Sequence, residues 1–212
     1  MKSYLFDFDG TLVDSMPTFA SVMVRILEEN GIEYPDDIIK IITPLGYSGT
    51  AKYYREKLGL PLSEGEALER MIGYMKDEYT YRIPAKDGVP ETLFELKKRG
   101  FSLNVLTASP HDVLDPCLKR LGLYDVFDNV WSCNDFNTTK ADPEIYRMAA
   151  EKIGSSVSSV TFLDDNLNAD RTAKSAGMRV IGVYDESSRD YVEEMKAVCD
   201  GYIYNFKELM HP

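Results

Sequence analysis

Cysteine and histidine are scarce in this chain, which has three cysteines, Cys117, Cys133 and Cys199, and two histidines, His111 and His211. The cysteines are odd in number and lack C-x-x-C spacing, which argues against a disulfide framework and a thiolate zinc site. Small buried thiols in a reducing cytosol are expected instead. Two histidines are too few for a histidine-based metal cluster. No run approaches the roughly 18 apolar residues of a membrane span. Met1-Lys2-Ser3 leads straight into a strand-like segment and leaves no room for a signal peptide. A soluble, cytoplasmic protein is therefore expected. Positive charge is also short: 24 Lys and Arg stand against 35 Asp and Glu, a formal net charge of −11. That balance argues against nucleic acid or an anionic membrane as partner, and it leaves room for a small anion in a local basic pocket.

Apolar residues make up 44% of the 212, enough to bury a sizeable core. From Val89 onward, helix-like and strand-like segments alternate. The spacing predicts helices over 89–99, 110–121, 143–153, 168–176 and 189–198, the first four closed by glycine. Strands are predicted over 101–106, 129–132, 160–163, 179–183 and 201–204. This rhythm implies right-handed crossovers and a parallel sheet, hence an α/β fold. Residues 15–84 break it, with helix-like runs at 18–29, 36–42, 49–58 and 64–81. Turn residues punctuate them at Gly31, Pro35, Pro44-Leu45-Gly46 and Gly59-Leu60-Pro61. Strand-to-strand crossovers are usually short, so this block reads as an inserted second domain, with 1–14 and 85–212 forming the core. Helices packed on the same core are the alternative.

Chemistry concentrates where strands are predicted to end. Tyr4-Leu5-Phe6-Asp7-Phe8-Asp9-Gly10-Thr11-Leu12 runs from an apolar strand into two carboxylates at i, i+2, a glycine turn and a hydroxyl. Leu106-Thr107-Ala108-Ser109 follows another strand. Lys140 lies in Thr138-Thr139-Lys140-Ala141-Asp142-Pro143 ahead of a helix, and Phe162-Leu163-Asp164-Asp165-Asn166 closes a third strand. In a parallel sheet these sites share the carboxyl edge, where ligands bind. Clustered carboxylates repel one another unless a cation joins them, and so few oxygen-only donors suit Mg²⁺. Thr107, the Ala108 N–H and the Lys140 ammonium are donors for phosphoryl oxygens. Ionised Asp7 is able to attack phosphorus, and Asp9 is placed to give and then take a proton. Each site alone is a weak signal; D-x-D-G-T by itself also fits a calcium-like loop or a plain turn.

Taken in order, the four sites resemble the motifs of the haloacid dehalogenase-like hydrolase superfamily. The first, Phe6-Asp7-Phe8-Asp9-Gly10-Thr11-Leu12-Val13-Asp14-Ser15, is a close match. The resemblance implies a Rossmann-like core with an inserted helical cap, in the branch that holds phosphoglycolate phosphatase and phosphoglucomutase-like sequences. It implies Asp7 as nucleophile, Asp9 as general acid and base, Thr107 as the second-motif hydroxyl and Lys140 as the third-motif lysine. Asp164 becomes a Mg²⁺ ligand, Asp165 a ligand or its partner, and the backbone carbonyl of Asp9 a further ligand. Two positions depart from the pattern. Ala141 stands where proline commonly follows the lysine, and Ala169 where related sequences often have asparagine, so Asp165, Asn168 and Asp170 all stay open as the residue completing the metal shell.

Within that superfamily Asp9 discriminates, because dehalogenase branches lack an acid there. Related sugar-phosphate mutases carry a cap histidine where this chain has Phe19. The expected activity is therefore a Mg²⁺-dependent phosphatase that hydrolyses a small phosphorylated metabolite through an aspartyl-phosphate, acting as a monomer. The alternatives are a phosphomutase or phosphotransferase of the same fold, or a non-catalytic phospho-ligand-binding relative. In the inserted block, Lys52, Arg55 and the loop 46–50 are candidates to grip substrate, or form an ordinary solvated face. Tyr74, Tyr79 and Tyr81 are candidates for an aromatic wall, or pack with their hydroxyls at the surface. His111 is read as a helix-start or surface residue.

Overall fold

The computed structural model describes residues 2–42 and 45–210; Pro44 of the expected turn and His211 lie outside them. The chain divides into two compact units, Met1–Asp14 with Pro84–Pro212, and Ser15–Ile83. No helix among the described residues is long and apolar enough to cross a membrane, and all three cysteines are free.

In the first unit the described residues form one parallel sheet of six strands: β1 (Ser3–Phe6), β2 (Ser102–Thr107), β3 (Asn129–Ser132), β4 (Val160–Asp164), β5 (Arg179–Val183) and β6 (Gly201–Ile203). Their order is β3-β2-β1-β4-β5-β6, every neighbouring pair parallel. Leu5, Phe6, Leu103, Val105, Leu106, Phe162 and Leu163 are fully buried, as expected of central strands covered on both faces. The covering helices are α5 (Val89–Lys98), α6 (His111–Arg120), α7 (Glu144–Ile153), α8 (Leu167–Ala176) and α9 (Val192–Val198), numbered after four helices of the second unit. At the end of α8, Gly177 takes φ +101°, which lets the N–H groups of Gly177 and Met178 close on the carbonyls of Lys174 and Ala173 at 3.0 and 3.1 Å. The expected α/β, Rossmann-like architecture is the one observed.

Strand order places the chemistry. β1 lies between β2 and β4, and from there the chain builds outward in both directions. That reversal opens a crevice at the carboxyl ends of the central strands. Below it, the ring of Tyr146 on α7 meets Phe162 of β4 edge-on at 5.0 Å. The Tyr146 hydroxyl lies 3.2 Å from the carbonyls of both Lys140 and Ala169, so one buried side chain ties the loop before α7 to the first turn of α8.

The end of the chain differs from expectation. A continuous helix over 189–198 is replaced by a 3-10 segment, Glu186–Tyr191, and only Val192–Val198 is α-helical. The Asp185 side chain accepts from the Ser187 N–H at 2.9 Å and the Ser187 hydroxyl at 2.6 Å. That starts a tight turn earlier than apolar periodicity indicates.

The second unit contains α1 (Met16–Glu29), α2 (Ile38–Ile42), α3 (Gly46–Leu58) and α4 (Glu64–Tyr81). Its interior is formed by Val22, Met23, Ile26 and Leu27 of α1, Ala67, Met71 and Met75 of α4, and Tyr54 of α3, whose hydroxyl donates to the Met23 carbonyl at 3.0 Å. A capping box between Ser63 and Glu66 starts α4. The three tyrosines of α4 do not share a surface: Tyr79 is buried, Tyr81 is exposed, and the Tyr74 hydroxyl donates to Glu29 with Arg25 stacked over its ring. Lys52 and Arg55 are exposed. At the junction, within the first unit, Asp14 N donates to Pro84 O and Lys86 N to Leu12 O, both at 3.0 Å.

Replacing Tyr146 with phenylalanine keeps the ring and removes the one hydroxyl shared between the Lys140 and Ala169 carbonyls. A loss of about 1–2 kcal/mol in urea unfolding is expected. An unchanged midpoint would show that the hydroxyl ties nothing together.

Candidate active site

Asp7 is the first residue beyond β1, and its N–H donates to Leu163 O at 2.8 Å, extending the parallel ladder by one step. Asp164 is the last residue of the neighbouring strand β4. The two side chains therefore leave the sheet side by side. Lys140, from the loop before α7, bridges them: its ammonium pairs with Asp7 Oδ1 and lies 2.8 Å from Asp164 Oδ2. The other Asp164 oxygen accepts from the Asn166 N–H at 2.8 Å. Asp165 completes a cluster in which one oxygen from each of Asp7, Asp164 and Asp165 lies within 4.8 Å of the others. All three are buried, with 7, 1 and 7% of their surfaces exposed.

Burial at this density shifts the acids. Desolvation pushes Asp7 up to about 7, with the charges of Asp164 and Asp9 adding to it and Lys140 opposing. Asp165 is raised well above the usual carboxylate range by burial first and then by Asp164 and Asp7. For Lys140, burial opposes the charge, but Asp164 and Asp7 outweigh it and hold the ammonium above the ordinary lysine range. With all three carboxylates ionised, one ammonium would leave an excess of buried negative charge, and the raised values of Asp7 and Asp165 reflect it. Oxygen-only donors with that excess fit a hard divalent cation, as Mg²⁺ is.

The turn after β1 is built around Asp165. Leu12 and Val13 N–H groups fold back onto Phe8 O at 2.9 and 3.0 Å, and Gly10 N donates to Val13 O at 3.0 Å. Gly10 takes φ +72°, and a Cβ there would lie 2.4 Å from Asp165 Oδ2. The Thr11 hydroxyl donates to Asp165 Oδ1 at 2.9 Å. Asp9, half-buried on the same turn, accepts from the Ser109 hydroxyl at 2.6 Å. Ser109 N in turn donates to the hydroxyl of Thr107, the buried last residue of β2, at 3.0 Å. Ala108 is exposed between them.

All four predicted sites thus sit at carboxyl ends of strands or in the loop beside them. Of the three residues left open by the sequence, only Asp165 puts its carboxylate in the cluster. Asn168 is exposed. Asp170 is fully buried, accepts from the Cys199 thiol at 3.2 Å through Oδ2, and has no hydrogen-bond partner at Oδ1; burial pushes it up to about 8. His111 stands apart from the cluster, with Nδ1 and Nε2 each 2.8 Å from a carboxylate, Asp115 and Asp135. The sequence pattern assigns no role to Thr11 or Ser109, although both stand inside the first and second motifs. It missed Lys86 entirely, whose ammonium lies 2.6 Å from Gly10 O; nothing in its sequence surroundings marks it.

Residues 4–183 match the family described as haloacid dehalogenase-like hydrolase. The chain is 28% identical over 186 residues to a Bacillus subtilis protein assigned as a phosphatase, YhcW, with 85% of this chain and 82% of that protein covered. It is 29% identical over 188 residues to the N-acetylmuramic acid 6-phosphate phosphatase of Pseudomonas aeruginosa, covering 86 and 81%. Among solved structures, one from Thermotoga maritima assigned as a β-phosphoglucomutase superposes with a TM-score of 0.85 at 24% identity, over 99% of this chain and 97% of that one. At that identity the likeness concerns the fold.

Two expectations follow from the site's supports. Gly10→Ala puts a methyl group into the Asp165 carboxylate and strains the backbone, so a stability loss of about 1–3 kcal/mol is expected in thermal unfolding; a neutral substitution would contradict the packing described. His111 is raised above its ordinary value of 6.5 by its hydrogen bonds to Asp115 and Asp135, because only the imidazolium donates from both nitrogens. The favoured folded form is the protonated one. Its stabilisation is complete below the unfolded value and is lost as pH rises through the folded value. An NMR titration should place the His111 imidazole above 6.5, and unfolding of His111→Gln should lack that part of the alkaline decline.

Proposed function

The chain belongs to the haloacid dehalogenase-like hydrolase family, and from that membership and the buried acidic site we propose that it is a phosphatase acting on a small organic phosphate monoester. The observation that carries the reading is Lys140 bridging Asp7 and Asp164 beside Asp165. One oxygen of Asp7 is held by the lysine, and the other is the attacking atom. It bonds to phosphorus as the ester P–O bond breaks, and Asp9 gives its proton to the departing oxygen. Water then attacks the aspartyl-phosphate, Asp9 takes the proton, and Asp7 and inorganic phosphate are released. Thr107, the Ala108 N–H and Lys140 donate to the phosphoryl oxygens. Asp7, Asp164 and Asp165, with the Asp9 carbonyl, would hold Mg²⁺, which supplies screening between the carboxylate and the phosphate dianion.

Several features support hydrolysis over the neighbouring chemistries. The second acid, Asp9, favours phosphoryl over halide chemistry, and Phe19 stands where the related mutases have histidine. The named relatives include a sugar-phosphate phosphatase, which makes phosphorylated sugars and related polyols the first substrates to try. In this reading the Ser15–Ile83 unit serves as the cap that selects the ester, and the protein works in the cytoplasm.

Incubation with a panel of phosphate esters and Mg²⁺ is expected to release inorganic phosphate from sugar phosphates, and chelation should stop it. Asp7→Asn should lower turnover by about 10³ or more, and Asp9→Asn by about 10²–10⁴. Release from no ester at all, or full activity in Asp7→Asn, would overturn the proposal.

A further inference from the structure

Lys86 occupies a position that no motif marks. It is two residues past the point where the chain re-enters the first unit. There, Val13 and Ala85 form an antiparallel bridge and Lys86 N donates to Leu12 O at 3.0 Å. That short pairing turns the side chain back along the turn after β1. Its ammonium meets three acceptors: Gly10 O at 2.6 Å, Tyr184 O at 2.7 Å and Asp185 Oδ2 at 2.8 Å. An ammonium has three N–H groups, and each has its own acceptor. The lysine side chain is 18% exposed and that of Asp185 5%, so the contacts are shielded from water.

The Gly10 carbonyl belongs to the peptide that joins Gly10 to Thr11. On the other side of that peptide, the Gly10 Cα packs against the Asp165 carboxylate and the Thr11 hydroxyl donates to it. Asp9 immediately precedes. Anchoring this one carbonyl therefore fixes the direction in which Asp9 leaves the turn. We propose that Lys86 is a positioning residue for the phosphatase reaction: by holding the Gly10 carbonyl, it sets Asp9 in the place from which Asp9 exchanges its proton with the ester oxygen. This rests on the phosphatase reading given above. Among the described residues the Lys86 ammonium bonds to Gly10, Tyr184 and Asp185 and not to Asp7 or the carboxylate cluster, so its effect passes through the turn.

The role has a signature that simple destabilisation lacks. Proton donation matters most when the departing oxygen is a poor leaving group, such as a sugar alkoxide. It matters little for an activated aryl phosphate, whose phenolate departs unprotonated. The quantity to compare is kcat/KM, which reports the first, P–O-cleaving half of the reaction. In Lys86→Met, kcat/KM for the best sugar phosphate should fall by about tenfold to a hundredfold, and that for p-nitrophenyl phosphate by less than about threefold.

Lys86→Met also leaves the buried Asp185 carboxylate without its cation, which by itself lowers stability. The double variant Lys86→Met/Asp185→Asn removes that charge. It should regain melting temperature yet keep the altered ratio between the two substrates, whereas Lys86→Arg, which keeps the charge and a donor, should restore part of that ratio. An equal fall for both substrates in the double variant, or no fall for either, would overturn the role of Lys86 while leaving the phosphatase reading in place. Absence of hydrolysis of both esters by the unaltered protein would overturn both.

Discussion

One ammonium holds the site together. Lys140 reaches from the loop before α7 to carboxylates at the ends of two adjacent strands, and without it three buried acids would face each other with no cation paired to them among the described residues. Everything around it limits its freedom. Tyr146 holds the Lys140 carbonyl from below, and the ring of Phe162 lies 5.5 Å from the ammonium. A charge placed this tightly in a dry setting acts more strongly than one in water. The same setting makes its loss costly, because an uncompensated buried carboxylate is among the most destabilising defects a fold carries.

Much of this was legible in the sequence because parallel α/β folds reduce the problem to one question, where strands end. The strand-like segments predicted at 129–132 and 179–183 are strands with those limits. Carboxylates immediately after such runs must come out on one edge. The four motifs therefore pointed to one place before any distance was known. Which of Asp165, Asn168 and Asp170 comes to lie beside Asp7 and Asp164 was not legible. It depends on which way the chain turns after β4: Asp165 is caught under the Thr11 hydroxyl, while Asp170, further into α8, faces Cys199.

Other features were hidden for a related reason. Two of the three acceptors of Lys86 are backbone carbonyls, at residues 76 and 98 positions away, and a carbonyl carries no residue identity for a reader to notice. The sequence left the α4 tyrosines open between an aromatic wall and surface packing, because helical spacing says which residues are near one another along the axis. It does not say which face is buried, and Tyr79 and Tyr81 fall on opposite sides of that divide. The early turn at Asp185 is a local polar competition, a side chain taking backbone donors that a helix would have used.

The hydrogen bonds across the junction, Asp14 to Pro84 and Lys86 to Leu12, have a consequence for how such a protein changes over generations. The sheet-bearing unit is already stitched shut where the chain departs and returns. Whatever is threaded between those points adds little closure entropy, since doubling a flexible excursion costs only about 0.6 kcal/mol. Selection is therefore free to lengthen, shorten or rewrite the intervening helices without renegotiating the register of the strands. Two backbone hydrogen bonds thus separate the register of the strands from the length of whatever is inserted between them.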